Sequence, residues 1–268
     1  MLTEIIANRQ VGPDYYRLDL RLSRKLEGVR PGRFFHLQIR KDELISEPLL
    51  RRPFSVFDYS AQDCLLSLVY CVVGRGTKIM ARMRPGEEVD VLGPLGTGFR
   101  TDFAGNKPLL IGGGMGTAPL YYLLKEVIKD NDPLVYLGGT TTEDMVYFRT
   151  EFGKLYKEFG DRDCSRRLLM ATLDGSCGFQ GTVIDHLQEK NKFLNDVDFV
   201  YCCGPDGMLA KVQTLAEKFG LPGQLSAEER MGCGYGVCLS CSCSTTDGNQ
   251  RVCKEGPVFE IGEVIFDE

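Results

Sequence analysis

Three features that would each point to a particular class of protein are scarce or missing in this sequence. Positive charge is not in excess: 32 Lys and Arg residues stand against 37 Asp and Glu residues, and the net charge is −5. A nucleic acid or an anionic membrane is therefore not expected as a partner. No apolar run is long enough to span a bilayer, because glycine and proline interrupt the longest uncharged stretch, residues 108–124. Histidine occurs only twice, and no set of residues suggests a catalytic triad.

The amino terminus also lacks the pattern of a signal peptide. Glu4 and Arg9 carry charge there, and there is no sustained apolar core. We therefore expect a soluble, cytoplasmic protein. Its 268 residues are enough for roughly two domains of about 100–200 residues each.

The pattern of the chain changes twice along its length. Up to about residue 98, short apolar runs alternate with turn signals, which predicts a small β-barrel or sandwich. From residue 107, apolar runs alternate with helical patterns, which predicts a doubly wound domain with a parallel sheet. From about residue 223 the chain is rich in loops and cysteine, and it ends in a strand-like segment, residues 259–266. The predicted strands of the α/β region are residues 108–111, 134–138, 168–172 and 199–202, and its helices are residues 118–129, 150–159 and 207–219.

Cysteine is abundant, with eleven residues in all, although a cytosolic chain keeps its thiols reduced. Cys233, Cys238 and Cys241 have the spacing C-x4-C-x2-C, and Cys253 follows; this is the plant-type ligand arrangement of a [2Fe–2S] cluster. A zinc site with four cysteine ligands is the alternative, but such sites usually show two short C-x2-C hairpins. Cys243 is left as a spare thiol, although its exchange with Cys241 stays open. The other six are expected to be small buried hydrophobes: Cys64, Cys71, Cys164, Cys177, Cys202 and Cys203.

A glycine-rich turn follows the first strand of the α/β region and opens a helix. Glycine lets the backbone approach a phosphate, and the helix amino terminus offers free N–H groups to a pyrophosphate. The alternative is a plain βα turn, but the alternating context favours a nucleotide. The candidate residues of this turn are Gly112, Gly113, Gly114, Gly116 and Thr117.

A second wall for a dinucleotide is predicted after the strand at residues 199–202. The candidates are Cys203, Gly204, Pro205 and Asp206, which lie at the carboxyl edge of the sheet, where open α/β folds bind ligands. Asp206 as a helix cap and Cys203 as a packed thiol are equally good interpretations.

NAD is favoured over NADP by the loop at residues 138–144. It contains no Arg or Lys to receive a 2′-phosphate, and it carries two acids, Glu143 and Asp144. These acids are equally typical of a solvated loop.

The β-rich region carries two patterns that suit a flavin. Arg51 and Arg52 precede Pro53, Phe54 and Ser55, so that a cation for phosphate, an aromatic ring and a hydroxyl stand together. Residues 73–78 then end a strand and offer backbone N–H groups at a helix start, a second place for an anion. Each pattern alone is more typical of a loop, and their joint presence before a nucleotide fold favours the flavin.

In this order, the motifs resemble those of the ferredoxin–NADP reductase superfamily, and most closely the electron-transfer subunits of NAD-dependent dihydroorotate dehydrogenase B. The most specific stretch is residues 231–234 together with 253–259. The resemblance implies iron ligands at Cys233, Cys238, Cys241 and Cys253. It implies FAD contacts at Arg52, Pro53, Phe54, Ser55, Val69, Tyr70, Cys71, Gly76 and Thr77. The chain departs from the family at Cys71, because the family often has Arg there.

The resemblance also implies the architecture and the partner. It implies an antiparallel six-stranded β-barrel for FAD in residues 1–100, a doubly wound NAD domain in residues 101–222 and a small [2Fe–2S] domain in residues 223–268. The partner would be an FMN-binding dihydroorotate dehydrogenase catalytic subunit, in a heterotetramer of two plus two, within pyrimidine (UMP) biosynthesis. NADH carries two electrons as hydride and the cluster carries one, so FAD must stand between them. This chain would then position cofactors, and no residue of it is assigned as catalytic.

Two other functions are compatible with parts of this pattern. The related β subunits of a sulfide dehydrogenase, a ferredoxin:NADP transhydrogenase or a hydrogenase share the same plan. The acidic loop at residues 143–144 and the segment 256–259 favour the dihydroorotate interpretation over them. A zinc-stabilised nucleotide sensor without catalysis is the third candidate, and a visible spectrum would distinguish it, because zinc is colourless.

Overall fold

A closed antiparallel barrel forms the first part of the molecule, in a computed structural model that describes residues 1–39, 48–161 and 163–266. Its strands are β1 (Leu2–Gln10), β2 (Tyr15–Arg21), β3 (Phe34–Gln38), β4 (Arg52–Ser60), β5 (Leu65–Cys71) and β6 (Glu88–Leu95), in the order β1-β2-β5-β4-β3-β6. The helix α1 (Arg75–Met80) follows β5. Phe35, Leu37, Leu66 and Leu68 are fully buried inside the barrel, and each such burial stabilises the fold by about 1.5–3 kcal/mol. The six-stranded barrel implied by the resemblance is confirmed.

A second sheet of seven strands forms the α/β part. Its strands are β7 (Pro108–Gly113), β8 (Leu134–Gly139), β9 (Leu168–Thr172), β10 (Phe179–Gln180), β11 (Phe199–Cys203), β12 (Gly223–Ser226) and β15 (Val258–Glu260), in the order β10-β9-β8-β7-β11-β12-β15. Every neighbouring pair is parallel except β12 with β15. The helices are α2 (Thr117–Val127), α3 (Thr142–Glu158), α4 (Val183–Glu189) and α5 (Asp206–Phe219).

Helices cover this sheet on both faces. Leu120 of α2 and Phe148 of α3 belong to one buried cluster, whereas Leu187 of α4 and Leu209 of α5 belong to another. The doubly wound arrangement is therefore confirmed. The order of strands reverses between β7 and β11, which is where sheets of this type bind their ligands.

Two predicted elements differ from the structure, and one helix is additional. The helix predicted at residues 150–159 begins at Thr142, because the hydroxyl of Thr141 accepts from the Asp144 N–H and the Asp144 carboxylate accepts from the Thr141 N–H. The helix α4 was not predicted. The strand-like segment at residues 259–266 is a strand only as far as Glu260, and Gly262 turns the chain with φ of +88°.

The cysteine-rich segment lies between two strands of the second sheet. The chain leaves the sheet after Ser226, forms the hairpin of β13 (Ser242–Thr245) and β14 (Gly248–Arg251), and returns at Val258. The sheet thus continues across the predicted boundary at residue 222, and the three domain limits stay predictions. Within the described residues, no helix has the length and apolar character needed to cross a membrane.

Candidate cofactor site

A cavity of about 870 Å3 lies where the barrel, the second sheet and the cysteine-rich segment meet. It collects residues from predicted motifs that are far apart in the chain. Those of the barrel side are Arg52, Pro53, Phe54, Ser55, Val69, Tyr70, Cys71, Gly76 and Thr77, and those of the sheet side are Gly113, Gly114, Gly116, Cys203, Gly204, Pro205 and Asp206. The arrangement can hold an extended ligand that touches both sides.

Gly112 and Thr117 are the two predicted cofactor residues that do not line the cavity. Thr117 is fully buried, and a Cβ on Gly112 would stand 2.8 Å from its Oγ1. Both residues therefore lie behind the glycine turn, where they shape its backbone.

The glycine turn and the loop after β11 are in direct contact. A Cβ on Gly116 would stand 2.4 Å from the carbonyl oxygen of Cys203, and one on Gly204 would stand 3.2 Å from the backbone nitrogen of Gly113. At position 116 only glycine allows this approach. The two loops therefore form one continuous wall at the carboxyl ends of β7 and β11, the position that a dinucleotide pyrophosphate requires.

Two residues of this wall had alternative interpretations. Asp206 is exposed in the first turn of α5 and makes no side-chain cap, since Pro205 is the N-cap residue. Cys203 lines the cavity. Burial raises the pKa of its thiol to about 12, although a hydrogen bond with Ser226 acts in the opposite direction. It is therefore a neutral thiol at neutral pH.

An aromatic platform forms the barrel side of the cavity. Phe54 meets Tyr70 edge to face with ring centroids 5.9 Å apart, and Tyr16 stacks on Tyr70 at 5.6 Å. The Tyr70 hydroxyl donates to Asn8 Oδ1 at 3.1 Å. These contacts fix the Tyr70 ring, because both its face and its hydroxyl are held.

Polar groups at the end of the platform are held by the backbone. The Arg52 guanidinium donates to the carbonyl of Leu50 at 2.9 Å. The Thr77 hydroxyl accepts from the Gly74 N–H at 3.1 Å and so closes the turn that begins α1.

At the end of β5, burial raises the pKa of Cys71, and the carboxylates of Asp14 and Asp144 add to this effect. An uncharged thiol thus stands at the end of β5, on the wall of the cavity.

The predicted iron ligands lie in two contacting pairs. Cys238 Sγ accepts from the Cys233 N–H at 3.4 Å, and Cys233 Sγ accepts from the Val237 N–H at 3.4 Å. Cys241 and Cys253 are buried side by side in the cluster of Phe34 and Val252. Among the described residues, no three Cys, His, Asp or Glu side chains already stand together as a closed ligand set.

The acidity of these thiols follows their surroundings. Hydrogen bonds from Ser240 and from the Cys233 N–H lower the pKa of Cys238 to about 6. Desolvation alone would raise the pKa of Cys233, but backbone N–H groups of Cys238, Tyr235 and Val237 lower it. Burial beside Cys241 raises the pKa of Cys253 to about 12.

The cysteine loop fits an iron–sulfur centre in its backbone. Gly234 and Gly236 have φ of +80° and +86°, and these left-handed positions turn backbone N–H groups toward sulfur. Hydrogen bonds to the sulfurs of such a cluster help to set its reduction potential. Cys243 lies on β13, where burial and Glu229 raise its pKa, and the structure pairs Cys241, not Cys243, with Cys253.

Several residues of the site were not predicted. They are Phe34, Ser226, Ala227, Glu228, Glu229, Met231 and Pro257. Ser226 ends the short strand β12 and residues 227–229 follow it; the carboxyl end of this strand lies beside that of β11. Recognition of this strand in the sequence would have found them, because ligands gather at that edge. Phe34 lines the cavity and also packs in the cluster with Cys241 and Cys253.

Comparisons with known proteins agree with these features. The family model described as the iron–sulfur cluster binding domain of dihydroorotate dehydrogenase B matches residues 228–265, and that of the oxidoreductase NAD-binding domain matches residues 110–214. The chain is 37% identical to the dihydroorotate dehydrogenase B (NAD+) electron transfer subunit of Geobacillus sp. strain WCH70, over 98% of this chain and 97% of the relative. The corresponding subunit of Clostridium acetobutylicum is 38% identical over 90% of this chain and 88% of its own length.

Solved structures show the same fold. An NADH-dependent reduced ferredoxin–NADP oxidoreductase superposes with a TM-score of 0.81 at 27% identity, over 100% of this chain and 91% of that chain. A ferredoxin–NADP+ reductase of Neisseria gonorrhoeae with bound FAD and NADP gives a TM-score of 0.63 at 19% identity, over 81% of this chain and 90% of that chain. The first of these two structures matches the architecture of this chain over its whole length.

Proposed function

The chain belongs to the family of electron transfer subunits of NAD-dependent dihydroorotate dehydrogenase B, and from this premise we propose that it passes electrons between a catalytic partner subunit and NAD. The observation that carries the proposal is the position of Phe34. Phe34 lines the cavity and belongs to the same buried cluster as Cys241 and Cys253, so a flavin in the cavity and an iron–sulfur centre on the cysteines would lie on either side of this small group of buried side chains.

The residues of the cavity have separate tasks in this proposal. Arg52 would pair with a phosphate of FAD, and the platform of Phe54 and Tyr70 would hold its ring system. Gly113, Gly114 and Gly116 would receive the NAD pyrophosphate before the amino terminus of α2, which favours an anion. When bound, FAD supplies the exchange between two-electron hydride transfer and one-electron transfer. Cys233, Cys238, Cys241 and Cys253 would hold the [2Fe–2S] cluster.

The same fold serves the runner-up function, an NAD(P)H-linked flavin and iron–sulfur subunit of another complex. A reduced ferredoxin–NADP oxidoreductase is 27% identical to this chain, whereas the dihydroorotate dehydrogenase B subunits reach 37% over nearly the whole chain. The family model that matches the cysteine segment is also that of dihydroorotate dehydrogenase B. These findings favour the dihydroorotate complex.

An exposed apolar patch beside the cysteines supports a partner subunit. Tyr235, Val237 and Leu239 are 56%, 71% and 61% exposed, and they flank Cys238. Apolar side chains gathered on a surface mark a docking site more often than a solvated face. We propose that an FMN-binding dihydroorotate dehydrogenase subunit covers this patch, in an assembly of two plus two chains.

The preference for NAD over NADP is proposed on the segment that joins β8 to α3. Glu143 is exposed in the first turn of α3 and would repel a 2′-phosphate, and residues 138–144 contain no Lys or Arg. Asp144 contributes less, because its carboxylate caps α3. Titration of the protein with NADH and NADPH tests the preference, and equal affinities would contradict it.

The function is tested by reconstitution without oxygen. We expect the purified chain to contain FAD, iron and sulfide, and the complex with an FMN-binding dihydroorotate dehydrogenase subunit to reduce NAD with dihydroorotate. Val237→Asp should weaken complex formation at least tenfold, because a charge would be buried in the interface. Val146→Asp, at an exposed position on α3, is the matched control and should assemble normally.

The outcomes separate the parts of the proposal. A complex that forms but reduces no NAD would overturn the pyrimidine assignment and leave the flavoprotein. A colourless protein that contains zinc would favour the nucleotide sensor instead. The cytoplasmic location stays a prediction, which cell fractionation can check.

A further inference from the structure

His36 occupies an unusual position on the outer face of the barrel. Along β3, side chains alternate, so Phe35 and Leu37 point into the barrel core while Phe34 and His36 point outward. The outward side chain of His36 is nevertheless 0% exposed, because the cysteine-rich segment covers it.

The imidazole of His36 has no hydrogen-bond partner within the described residues. Neither Nδ1 nor Nε2 has one, although the ring is fully buried. Buried polar groups are nearly always paired, and an orphan costs stability. Burial and the cations of Arg51 and Arg52 lower the pKa of His36 to about 4, so the ring is neutral at neutral pH and carries one N–H donor.

The polar edge of the ring faces the cysteine loop. A Cβ on Gly234 would stand 2.5 Å from Cε1, 2.6 Å from Nδ1 and 2.9 Å from Nε2 of His36. The edge that carries both nitrogens therefore lies against the Gly234 backbone, next to Cys233. Because Gly234 has no side chain, the ring can lie directly against the backbone of the cysteine loop.

We propose that His36 donates its imidazole N–H to sulfur of the iron–sulfur centre held by the cysteine loop, and thereby raises the reduction potential of that centre. A hydrogen bond to sulfur stabilises the extra negative charge of the reduced state. The donor is supplied by the barrel, the part of the chain that also carries the aromatic platform. The proposal rests on the proposed function, because it requires the cluster.

Isotopic labelling tests the contact without changing the residue. The chain has only two histidines, and the other, His186, stacks on Phe179 of the second sheet with ring centroids 4.5 Å apart. We expect pulsed EPR of the anaerobically reduced holoprotein to detect hyperfine coupling from 15N-histidine. The coupling should persist in His186→Gln and vanish in His36→Gln. A fully reduced cluster without 15N-histidine coupling would overturn the proposal.

Potentiometry tests the consequence. At the potential where half of the wild-type cluster is reduced, the ratio of reduced to oxidised cluster should fall about tenfold in His36→Leu, which removes the donor. His36→Gln keeps an N–H donor and should lie closer to wild type. The FAD potential should stay unchanged in both variants.

The two proposals fail in different ways. A His36→Leu cluster with the wild-type potential would overturn the role of His36 while FAD, iron and sulfide remain present. A wild-type chain without iron and sulfide would instead overturn the proposed function. If His36→Leu takes up no cluster, the labelling experiment on wild type decides.

Discussion

Cys241 and Cys243 are two positions apart in the chain but differ in their surroundings. The side chain of Cys241 is 1% exposed beside Cys253, whereas Cys243 lies on β13 opposite Gln250. The spacing of the cysteines alone left their exchange open, because both positions are compatible with a loop ligand. The structure favours Cys241, since burial brings it against the fourth cysteine.

A pair of variants tests this choice of ligand. Cys241→Ser should lose most of the bound iron, because oxygen replaces one of four thiolates in the cluster. Cys243→Ser should retain the wild-type iron content and visible spectrum. Iron and sulfide analysis of anaerobically purified protein measures both. Loss of iron in Cys243→Ser alone would contradict the assignment.

His36 shows why some residues cannot be found from the sequence. A single histidine in an apolar strand is typical of a packed core residue. Its meaning depends on Gly234, which is distant in the chain and comes within contact of the ring only in the folded structure. By contrast, the cysteine spacing and the glycine turn are local patterns, and the chemistry that they predict could be stated before the fold was known.

At the scale of elements, the contact between the glycine turn and the loop after β11 is the feature that makes a nucleotide site. Gly116→Ala would place a methyl group 2.4 Å from the Cys203 carbonyl, so the two loops must separate. We expect NADH affinity to fall at least tenfold, as measured by titration of the flavin absorbance.

Gly207→Ala is the control for this variant. Gly207 lies in the first turn of α5, and a Cβ there would meet nothing within 4 Å. Alanine favours a helix over glycine by about 0.5–1 kcal/mol, so this variant should bind NADH normally and be no less stable. Normal NADH affinity in Gly116→Ala would argue against a nucleotide at this wall.

The elements that the sequence did not reveal share a physical cause. The strand β4 contains Arg52, Pro53 and Ser55, and these residues have low strand propensity and no clear alternation. The strand β12 is four residues long and is surrounded by loop residues. Pairing with neighbouring strands determines both, and such pairing joins distant parts of the chain. The early start of α3 is a different case, because its Thr141 and Asp144 cap was readable in the sequence.

At the scale of the whole molecule, a partly buried polar network joins the barrel to α3, which packs on the second sheet. Asp19 of β2 accepts from Arg17 Nε at 2.8 Å and from Ser67 Oγ at 2.6 Å. Arg17 also reaches the Tyr147 hydroxyl at 3.4 Å and lies 3.9 Å from Glu151, both on α3. The cavity depends on this junction, because its two walls belong to the two parts.

The network predicts a pH dependence of stability. Burial alone would raise the pKa of Asp19, but hydrogen bonds from Ser67 and Arg17 hold it below its usual value of 3.8. A carboxylate with a lowered pKa stabilises the fold above 3.8, and this contribution is lost as the pH falls through its folded pKa. Asp19→Asn should therefore cost about 2 kcal/mol at neutral pH and progressively less below 3.8.

Unfolding midpoints of wild type and Asp19→Asn, compared at neutral and acidic pH, measure this effect. Glu27→Gln, at an exposed position of the barrel, is the control and should follow wild type throughout. A difference between wild type and Asp19→Asn that stays constant down to about pH 3 would show that the carboxylate charge does not contribute.

The return of the chain to the second sheet at Val258 has a mechanical consequence. Ser226, where the chain departs, is paired directly with Val258, where it comes back, and Ala227 N–H donates to the Pro257 carbonyl at 2.8 Å. The segment between them is thus fixed at both ends to neighbouring backbone positions of the sheet. It cannot rotate about a single connection, so the sheet holds the cysteines at a constant distance from the cavity.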